Sequence, residues 1–260
     1  IPVATLITDT LVSDGEYRIC VLGQNSSAGL SQELTAPTSY TWVLDTQAPS
    51  ISLTLLGGSY VNMVNKSVFP ISIDCSEVGQ NIEVLIGATN LTVVNCTSNS
   101  NTFQLNMSGI PEGDYQLSAR IIDLAGNSTT SLLVNIKVDI TAPSLGGSVS
   151  DGIEFYSLTN TPLFLWTPAT DSSGISTYAL AIGTTPGGTD ILNFTDIGNV
   201  LLKYYVLLSS LVSGQTYYPS IKAMDQAGNW SLAIQGDGWI AKQSSWQEKL
   251  YYKPLISNTS

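Results

Sequence analysis

The stretch "PEGDYQLSARIIDLAGNS", residues 111–128, decides the fold of this chain. From Tyr115 to Ile121, every second residue is apolar or aromatic, and the residues between them are polar. This alternation predicts a β-strand that is half-buried against a second sheet. The strand leads into "DLAGN", residues 123–127, where a glycine between Asp and Asn is typical of a tight turn.

The chain repeats this stretch, as "SDGEYRICVLGQN" from residue 13 and "SGQTYYPSIKAMDQAGNWS" from residue 213. The copies align on Tyr17, Tyr115 and Tyr217, which are 98 and 102 residues apart. A second marker, "VLDTQAPS" at 43–50 and "KVDITAPS" at 137–144, recurs after 94 residues. Two markers with nearly the same period predict a tandem array of modules of about 95–100 residues.

The modules have the sequence pattern of β-sandwiches. Short runs rich in Val, Ile, Thr, Leu and Tyr lie between turn signals that recur at intervals of roughly 8–12 residues. No stretch sustains the 3.6-residue period of an amphipathic helix. About seven short strands fit into each module, which is the strand number of a two-sheet sandwich. We therefore predict an all-β fold of tandem sandwich modules in an elongated array.

The third module resembles the fibronectin type III family, in the variant found in bacterial surface and secreted proteins. Trp166 matches the family's core tryptophan, and Leu211, Gly214 and Tyr217 match its leucine–glycine–tyrosine corner. The resemblance implies that the repeated tyrosines are buried core residues whose hydroxyls bond to the backbone upstream. One departure is Pro219, which cannot donate to a sheet ladder, so we expect a bulge or an edge strand there.

The second module resembles the bacterial Ig-like repeats that carry D-x-x-A-P junctions. We expect Pro49 and Pro143 to begin first strands and to make the linkers between modules short and stiff. The predicted divisions are a partial Ig-like module, an Ig-like sandwich, a fibronectin III-like sandwich and a tail, at residues 1–48, 49–142, 143–240 and 241–260.

The two ends of the chain do not fit a complete module. Residues 1–48 provide about three strands, and three strands do not bury both faces of a sandwich. Either upstream sequence supplies the rest, or a neighbouring molecule donates strands by β-augmentation. The tail, residues 241–260, is either an interaction tail, the opening strands of a further module, or one more strand of its own module.

Composition excludes several classes of function. The chain has no histidine, which removes the commonest general base and metal ligand, so we predict no enzyme and no catalytic residue. Its 9 basic and 20 acidic residues include no basic cluster, which argues against nucleic-acid binding. We also expect no direct membrane insertion, because no apolar run reaches about 18 residues.

The three cysteines allow one disulfide within a module. Cys75 and Cys96 fall inside the second module, close enough in sequence to bridge. The alternative is two free, partly buried thiols. Cys20 is left over, and its redox state stays open.

The repeated turns raise the question of calcium. Asp123, Asn127, Asp225 and Asn229 could offer oxygen ligands, as could the acids at the two junctions, Asp45 and Asp139. Calcium junctions usually draw on clustered acids such as D-x-D, which this chain lacks. We therefore expect no cofactor and interpret Asp and Asn as residues that fix the turn.

These observations favour a non-catalytic extracellular protein that forms a stiff stalk or a fibre component of a bacterial cell surface. Its partners would be a protein or glycan at a cell surface, or further copies of itself. One alternative is a spacer or carbohydrate-binding accessory region of a secreted enzyme, with Trp230, Trp239 and Trp246 as the sugar-stacking candidates. Another is a filament subunit that assembles by β-strand donation.

Overall fold

β-Strands joined by turns and loops make up the part of the polypeptide that the computed structural model describes, residues 13–21, 24–25, 29–31, 38–151, 155–157, 161–207 and 211–242. Among these residues there is no α-helix, and none of them forms an apolar helix of membrane-spanning length. The all-β fold predicted from the alternation pattern is confirmed.

The first four strands form two small antiparallel sheets. They are β1 (Gly15–Val21), β2 (Gln24–Asn25), β3 (Leu30–Ser31) and β4 (Thr38–Leu44). Strand β1 pairs with β4, and β2 pairs with β3. In the β1–β4 pair, which we call the ribbon, Tyr17 lies opposite Trp42 and their rings stack 5.9 Å apart.

The next nine strands form a three-stranded sheet and a six-stranded sheet. They are β5 (Ile51–Leu55), β6 (Tyr60–Val61), β7 (Phe69–Cys75), β8 (Asn81–Ile86), β9 (Thr89–Asn95), β10 (Ser100–Leu105), β11 (Gly113–Ile122), β12 (Ser128–Thr130) and β13 (Val134–Val138). The smaller sheet has the order β10-β7-β5, and the larger has the order β6-β13-β11-β8-β9 with β12 also paired to β11. Strand β11 buries Leu117, Ala119 and Ile121, as its alternation predicts.

The last eight strands repeat this arrangement. They are β14 (Phe155–Ser157), β15 (Leu163–Leu165), β16 (Ile175–Gly183), β17 (Leu192–Gly198), β18 (Leu202–Tyr204), β19 (Thr216–Asp225), β20 (Ile234–Gln235) and β21 (Trp239–Lys242). A six-stranded sheet has the order β14-β21-β19-β16-β17 with β20 also paired to β19, and β15 pairs with β18.

The chain divides into two compact units that do not follow its linear order. Unit 1 comprises Ile1–Ser59, Val68–Asn106 and Asp114–Ile136, and unit 2 comprises Tyr60–Ser67, Met107–Gly113 and Lys137–Ser260. The module boundaries proposed at Pro49 and Pro143 stay predictions.

Aromatic side chains fill the core of unit 2. Trp239 is fully buried, with its ring 5.4 Å from Phe164 and 5.7 Å from Tyr217. Trp166 is also buried and lies 5.5 Å from the ring of Tyr178. Tilted ring pairs at such distances add to the free energy that their buried area provides.

The hydroxyls of Tyr17 and Tyr217 bond to the backbone upstream, as expected for a tyrosine corner. The Tyr17 hydroxyl donates to the carbonyl of Ser13, and the Tyr217 hydroxyl accepts from the amide of Val212. Tyr217 is 1% exposed, whereas Tyr17 and Tyr115 are half-buried. The tyrosine corner therefore accompanies a fully buried ring only in the third copy.

Pro219 lies in a central strand, and its register with β16 is regular, so neither the predicted bulge nor an edge strand occurs there. Its carbonyl accepts a hydrogen bond from Gly236, so the side of the residue that lacks an N–H faces β20 and β21. On that side the neighbour of β19 changes from β21, which ends its pairing at Tyr217, to β20, which begins at Ser220. The proline is accommodated because it lies where the neighbouring strand changes.

Cys75 and Cys96 form a disulfide in unit 1. Cys75 ends β7 in the smaller sheet, and Cys96 directly follows β9 in the larger one, so the bond connects the two sheets. Both cysteines are buried, whereas Cys20 on β1 is a free and exposed thiol.

We expect replacement of both bridged cysteines by serine, Cys75→Ser with Cys96→Ser, to lower the free energy of unfolding of unit 1 by about 2–4 kcal/mol. The disulfide closes a segment of 21 residues, and such a crosslink mainly restricts the unfolded chain. Urea unfolding with and without a reducing agent measures this. Reduction should destabilise the wild type but not the double variant, while Cys20→Ser should change little. An equal effect of reduction on the two proteins contradicts the prediction.

Candidate functional site at the repeated Asp–Asn turns

The two D-x-A-G-N turns have the same internal hydrogen bonds. The amide of Asn127 donates to Asp123 Oδ1 at 2.8 Å, and its side-chain Nδ2 donates to Asp123 Oδ2 at 2.9 Å. Asn229 makes the same two bonds to Asp225, at the same two distances. The glycines take positive φ angles, +96° at Gly126 and +93° at Gly228, which a residue with a Cβ rarely adopts.

Each turn also holds a backbone carbonyl of a D-x-x-A-P junction. Within unit 1, Nδ2 of Asn127 donates to the carbonyl of Asp45 at 2.9 Å. Within unit 2, Nδ2 of Asn229 donates to the carbonyl of Asp139, also at 2.9 Å. The two repeated motifs, separated by 82 and 90 residues, are therefore bonded partners. We call each such pair a clamp.

An acidic residue binds each junction segment as well. In unit 1, Asp14 Oδ1 accepts from both the amide and the hydroxyl of Thr46, at 3.0 and 2.8 Å. In unit 2, Glu112 Oε1 accepts from the amide of Ile140 at 2.9 Å and from the hydroxyl of Thr141 at 2.6 Å. Asp14 and Glu112 occupy the same place in the repeat, three residues before the aligned tyrosine.

The second clamp has further bonds in unit 2. Asn229 Oδ1 accepts from the amide of Met63 at 3.2 Å, and Asn62 Nδ2 donates to the carbonyl of Ala227 at 2.7 Å. Asn229 is 7% exposed, so its amide is bonded almost entirely to protein groups. Asn127 is half-buried, which makes the first clamp the more solvated of the two.

The junction prolines named from the sequence are buried at both places. Pro49 and Pro143 each follow the clamped aspartate by four residues. Because proline fixes φ and also restricts the residue before it, each junction segment has few conformations available apart from its hydrogen bonds.

Three carboxylates come together at the second clamp. Asp139, Asp171 and Asp225 each place one oxygen within 4.8 Å of the others, and Asp139 and Asp225 are 1% exposed. These are hard oxygen donors of the kind that Ca²⁺ takes. The sequence pointed to Asp139 and Asp225 but missed Asp171, because it lies in a separate loop 32 residues beyond Asp139.

The first clamp has a corresponding acid. Glu77 follows Asp45 by 32 residues, the same spacing as Asp171 from Asp139. Burial raises the pKa of the Glu77 carboxyl, and the negative charges of Asp123 and then Asp45 raise it further. The fold therefore brings a third acid close to each clamp, where like charges repel.

Hydrogen bonds act in the opposite direction on two other acids. Burial alone would raise the pKa of Asp123, but the bonds from the Asn127 side chain and from the amides of the turn outweigh it and lower that pKa. The pKa of Glu112 is lowered by the Thr141 hydroxyl and then by the Ile140 amide. Both carboxylates are thus held in the charged form that accepts these bonds.

The clamps hold backbone carbonyls in place, so the function that this arrangement supports is structural positioning of the D-x-x-A-P segments. Asp123 and Asp225 orient the asparagine amides, and the amides in turn hold the junction carbonyls. Sequence reasoning found the turns and the junctions separately. The turns and the junctions recur with nearly the same period, and this agreement was the sequence signal that could have indicated their contact.

Of the three tryptophans named as candidates for sugar stacking, Trp239 is fully buried in the core and so cannot contribute a surface ring. Trp230 is 38% exposed, and its ring carries the ammonium of Lys222 at 4.3 Å, which Phe194 also faces at 4.5 Å. Trp246 lies outside the described residues.

The bacterial Ig-like domain (group 3) matches residues 99–236 at the level of family profiles. The matched region is just over half of the 260-residue chain, so the chain belongs to this family. No curated protein sequence matches the chain.

Solved structures with similar folds include several tandem β-sandwich proteins. The fibronectin(III)-like modules of Clostridium thermocellum CbhA are 16% identical, with a TM-score of 0.47 over 74% of this chain and 94% of theirs. A 1.5-MDa bacterial ice-binding adhesin gives 17% identity and a TM-score of 0.45 over 89% of this chain and 75% of its own. Domains A168–A170 of titin are 15% identical, with a TM-score of 0.46 over 82% of this chain and 73% of theirs. Family membership, and not these distant likenesses, identifies the chain as Ig-like.

We expect Asn229→Ala to lower the free energy of unfolding of unit 2 by about 2–3 kcal/mol, because it leaves the carbonyl of Asp139 without its side-chain donor and removes one of the two bonds from residue 229 to the Asp225 carboxylate. Asn127→Ala should cost about half as much in unit 1, since solvent reaches that clamp. Calorimetric unfolding measures both. Asn193→Ala is the matched control, because Asn193 is exposed and its Oδ1 accepts only from the next amide in the chain. Equal losses for all three variants contradict the assignment.

We expect Glu77→Gln to stabilise unit 1 at pH 7. The raised pKa means that the folded state disfavours the charged carboxylate, a penalty that is complete at neutral pH and is lost as pH falls through the folded pKa. The gain should therefore be absent below the ordinary value of 4.5. Thermal unfolding between pH 4 and pH 7 measures it. In an Asp45→Asn background the gain should shrink, and an undiminished gain there contradicts the proposed repulsion.

Proposed function

We propose that this chain is a non-catalytic structural segment of a bacterial cell-surface stalk or fibre, in which each clamp fixes one D-x-x-A-P segment within its own unit. The observation that carries the proposal is the repeated bond from Asn127 and Asn229 to the junction carbonyls of Asp45 and Asp139. The same bond is made once in each unit, between the same two repeated motifs, so the restraint recurs with the repeat.

The restraint on each junction supports a mechanical function. A linker of a few residues would normally rotate freely about several φ and ψ angles, and each residue fixed costs about 1–2 kcal/mol of conformational free energy. Here the restraint is built in by proline, by the asparagine amide on one side and by Asp14 or Glu112 on the other. A stalk made of such joints transmits force and projects its tip without collapsing.

The surface composition supports an extracellular location. Charged residues are only 11% of the chain, and its polarity comes instead from Ser, Thr, Asn and Gly. The disulfide between Cys75 and Cys96 fits an oxidising compartment. Membership of a bacterial Ig-like family agrees with both. In this proposal the chain supports the tip of the stalk, and another part of the assembly binds the protein or glycan partner.

Loss of both clamps should loosen the junctions without unfolding the sheets. In the double variant Asn127→Ala with Asn229→Ala, we expect proteinase K to cut at 45–49 and 139–143 at least about tenfold faster, because local opening exposes those backbones. Small-angle scattering should show a wider distribution of dimensions. The pair Asn95→Ala with Asn193→Ala, two exposed asparagines, is the matched control.

Unchanged cleavage in the clamp variant contradicts the mechanical function. The location is tested in the same study by labelling intact source cells with an antibody to the chain, which should bind without permeabilisation. Labelling only after lysis contradicts a cell-surface protein.

A further inference from the structure

The ribbon has one face that is aromatic and open. In its register Tyr17 lies opposite Trp42, and Ile19 lies opposite Tyr40, so all four side chains project to the same side. Tyr40 is 69% exposed and Ile19 is 47% exposed, while Tyr17 and Trp42 are half-buried. The rings of Tyr40 and Trp42 stack 6.4 Å apart.

The equivalent face is covered in the third copy of the repeat. There the aligned tyrosine, Tyr217, is 1% exposed and lies against Trp239 and the rest of the unit 2 core. The ribbon has the same Tyr-led strand, and the Tyr17 hydroxyl also bonds to the backbone upstream, at the carbonyl of Ser13. Within the described residues, however, only β1 and β4 form its sheet. Two strands alone are marginally stable, and three or more with an apolar face are needed.

The C-terminal segment, residues 243–256, has the sequence pattern of a strand that fits this face. In an extended conformation Trp246, Leu250 and Tyr252 project to one side, together with Glu248. Lys249 and Lys253 project to the other side. Pro254 then ends the alternation, since proline cannot donate to a ladder.

Charge also favours this pairing. Residues 1–48 contain five acids and one base, a net charge of −4, in a chain whose total is −11. Residues 241–260 contain three lysines and one glutamate, a net charge of +2. The basic side of the extended segment would lie on the face of the ribbon that holds Glu16 and Arg18, which offset each other, so the attraction comes from the net charges of the two regions. Opposite charges steer association and fix its register.

We propose that residues 243–256 of a second copy of this chain add as a strand to an edge of the ribbon, with Trp246, Leu250 and Tyr252 beside Tyr17 and Trp42. The added strand makes main-chain hydrogen bonds to the ribbon and extends its aromatic face, which is the usual mode of β-augmentation. The donated segment and the ribbon that accepts it are different surfaces of the chain. The contact is therefore head-to-tail, and it can propagate from copy to copy along an open chain. This inference rests on the proposed structural function and adds self-assembly to it.

Light scattering coupled to size exclusion tests the assembly on the full chain. We expect the apparent mass to rise above the monomer value of 27.7 kDa as concentration increases from about 1 to about 100 µM. Leu250→Asp, which changes only the donor segment, should remain at the monomer mass throughout. Tyr251→Asp is the matched control, because in the proposed strand its side chain would project to the opposite side, and it should associate as the wild type does.

The receiving surface is tested by Trp42→Asp, which should also remain monomeric. Its control is Val43→Asp, since Val43 is 68% exposed on the other face of the ribbon. Mixing Trp42→Asp with Leu250→Asp gives one intact donor and one intact receiver, so we expect one-to-one pairs and nothing larger. Pair formation also shows that Trp42→Asp has not simply unfolded the donor chain.

Two outcomes overturn the inference. One is a wild-type chain that stays at 27.7 kDa at every concentration, as it would if the segment bound its own copy or nothing. The other is association by Leu250→Asp that equals that of the wild type. Neither outcome bears on the clamps, because association is measured here and the mobility of the junctions is measured by cleavage.

Discussion

The interaction on which both repeated turns depend is the hydrogen bond from an asparagine side chain to the carbonyl of a D-x-x-A-P aspartate. A backbone carbonyl in an exposed loop normally bonds to water, and the loop then moves freely. In this chain Asn127 and Asn229 supply a fixed donor in place of that water. The donor is itself held by Asp123 or Asp225, so the turn sets the position of the carbonyl that it binds. The turn and the D-x-x-A-P segment therefore act as one element.

This arrangement places negative charge where burial makes it costly. Asp139 and Asp225 are almost fully buried, and Asp171 brings a third carboxylate within 4.8 Å. The fold offsets part of that cost with donors, namely the amide and side chain of Asn229 for Asp225. Glu77 near Asp45 and Asp123 shows the part that is not offset, because its pKa is raised. The first clamp thus combines directional hydrogen bonds with repulsion between Glu77 and the carboxylates of Asp123 and Asp45.

The sequence predicted the elements of this structure better than their assembly. Alternation along β11 identified Leu117, Ala119 and Ile121 as buried but placed Ser118, which is also buried, on the polar face. The repeats located the two D-x-A-G-N turns, and the module boundaries at Pro49 and Pro143 stay predictions. The hydrogen bond between turn and junction was not predicted. Alternation along a strand indicates which face of the sheet a residue lies on, but it gives no information on what the loops at the ends of that strand contact. Pro219 was misjudged for a related reason. Its neighbour on one side changes from β21 to β20, and a change of partner strand leaves no local signal.

The ribbon and the third copy of the repeat show how far local sequence determines burial. Both contain the Tyr-led strand and both form the corner hydrogen bond, yet Tyr217 is buried and Tyr17 is only half-buried. The difference lies in what covers the ring. Trp239 packs on Tyr217 and is itself packed on Phe164, whereas among the described residues the ring partner of Tyr17 is Trp42 from the adjacent strand. Covering the exposed part of the ribbon's aromatic face would remove apolar area from water, which is the same driving force that buries Tyr217 in unit 2.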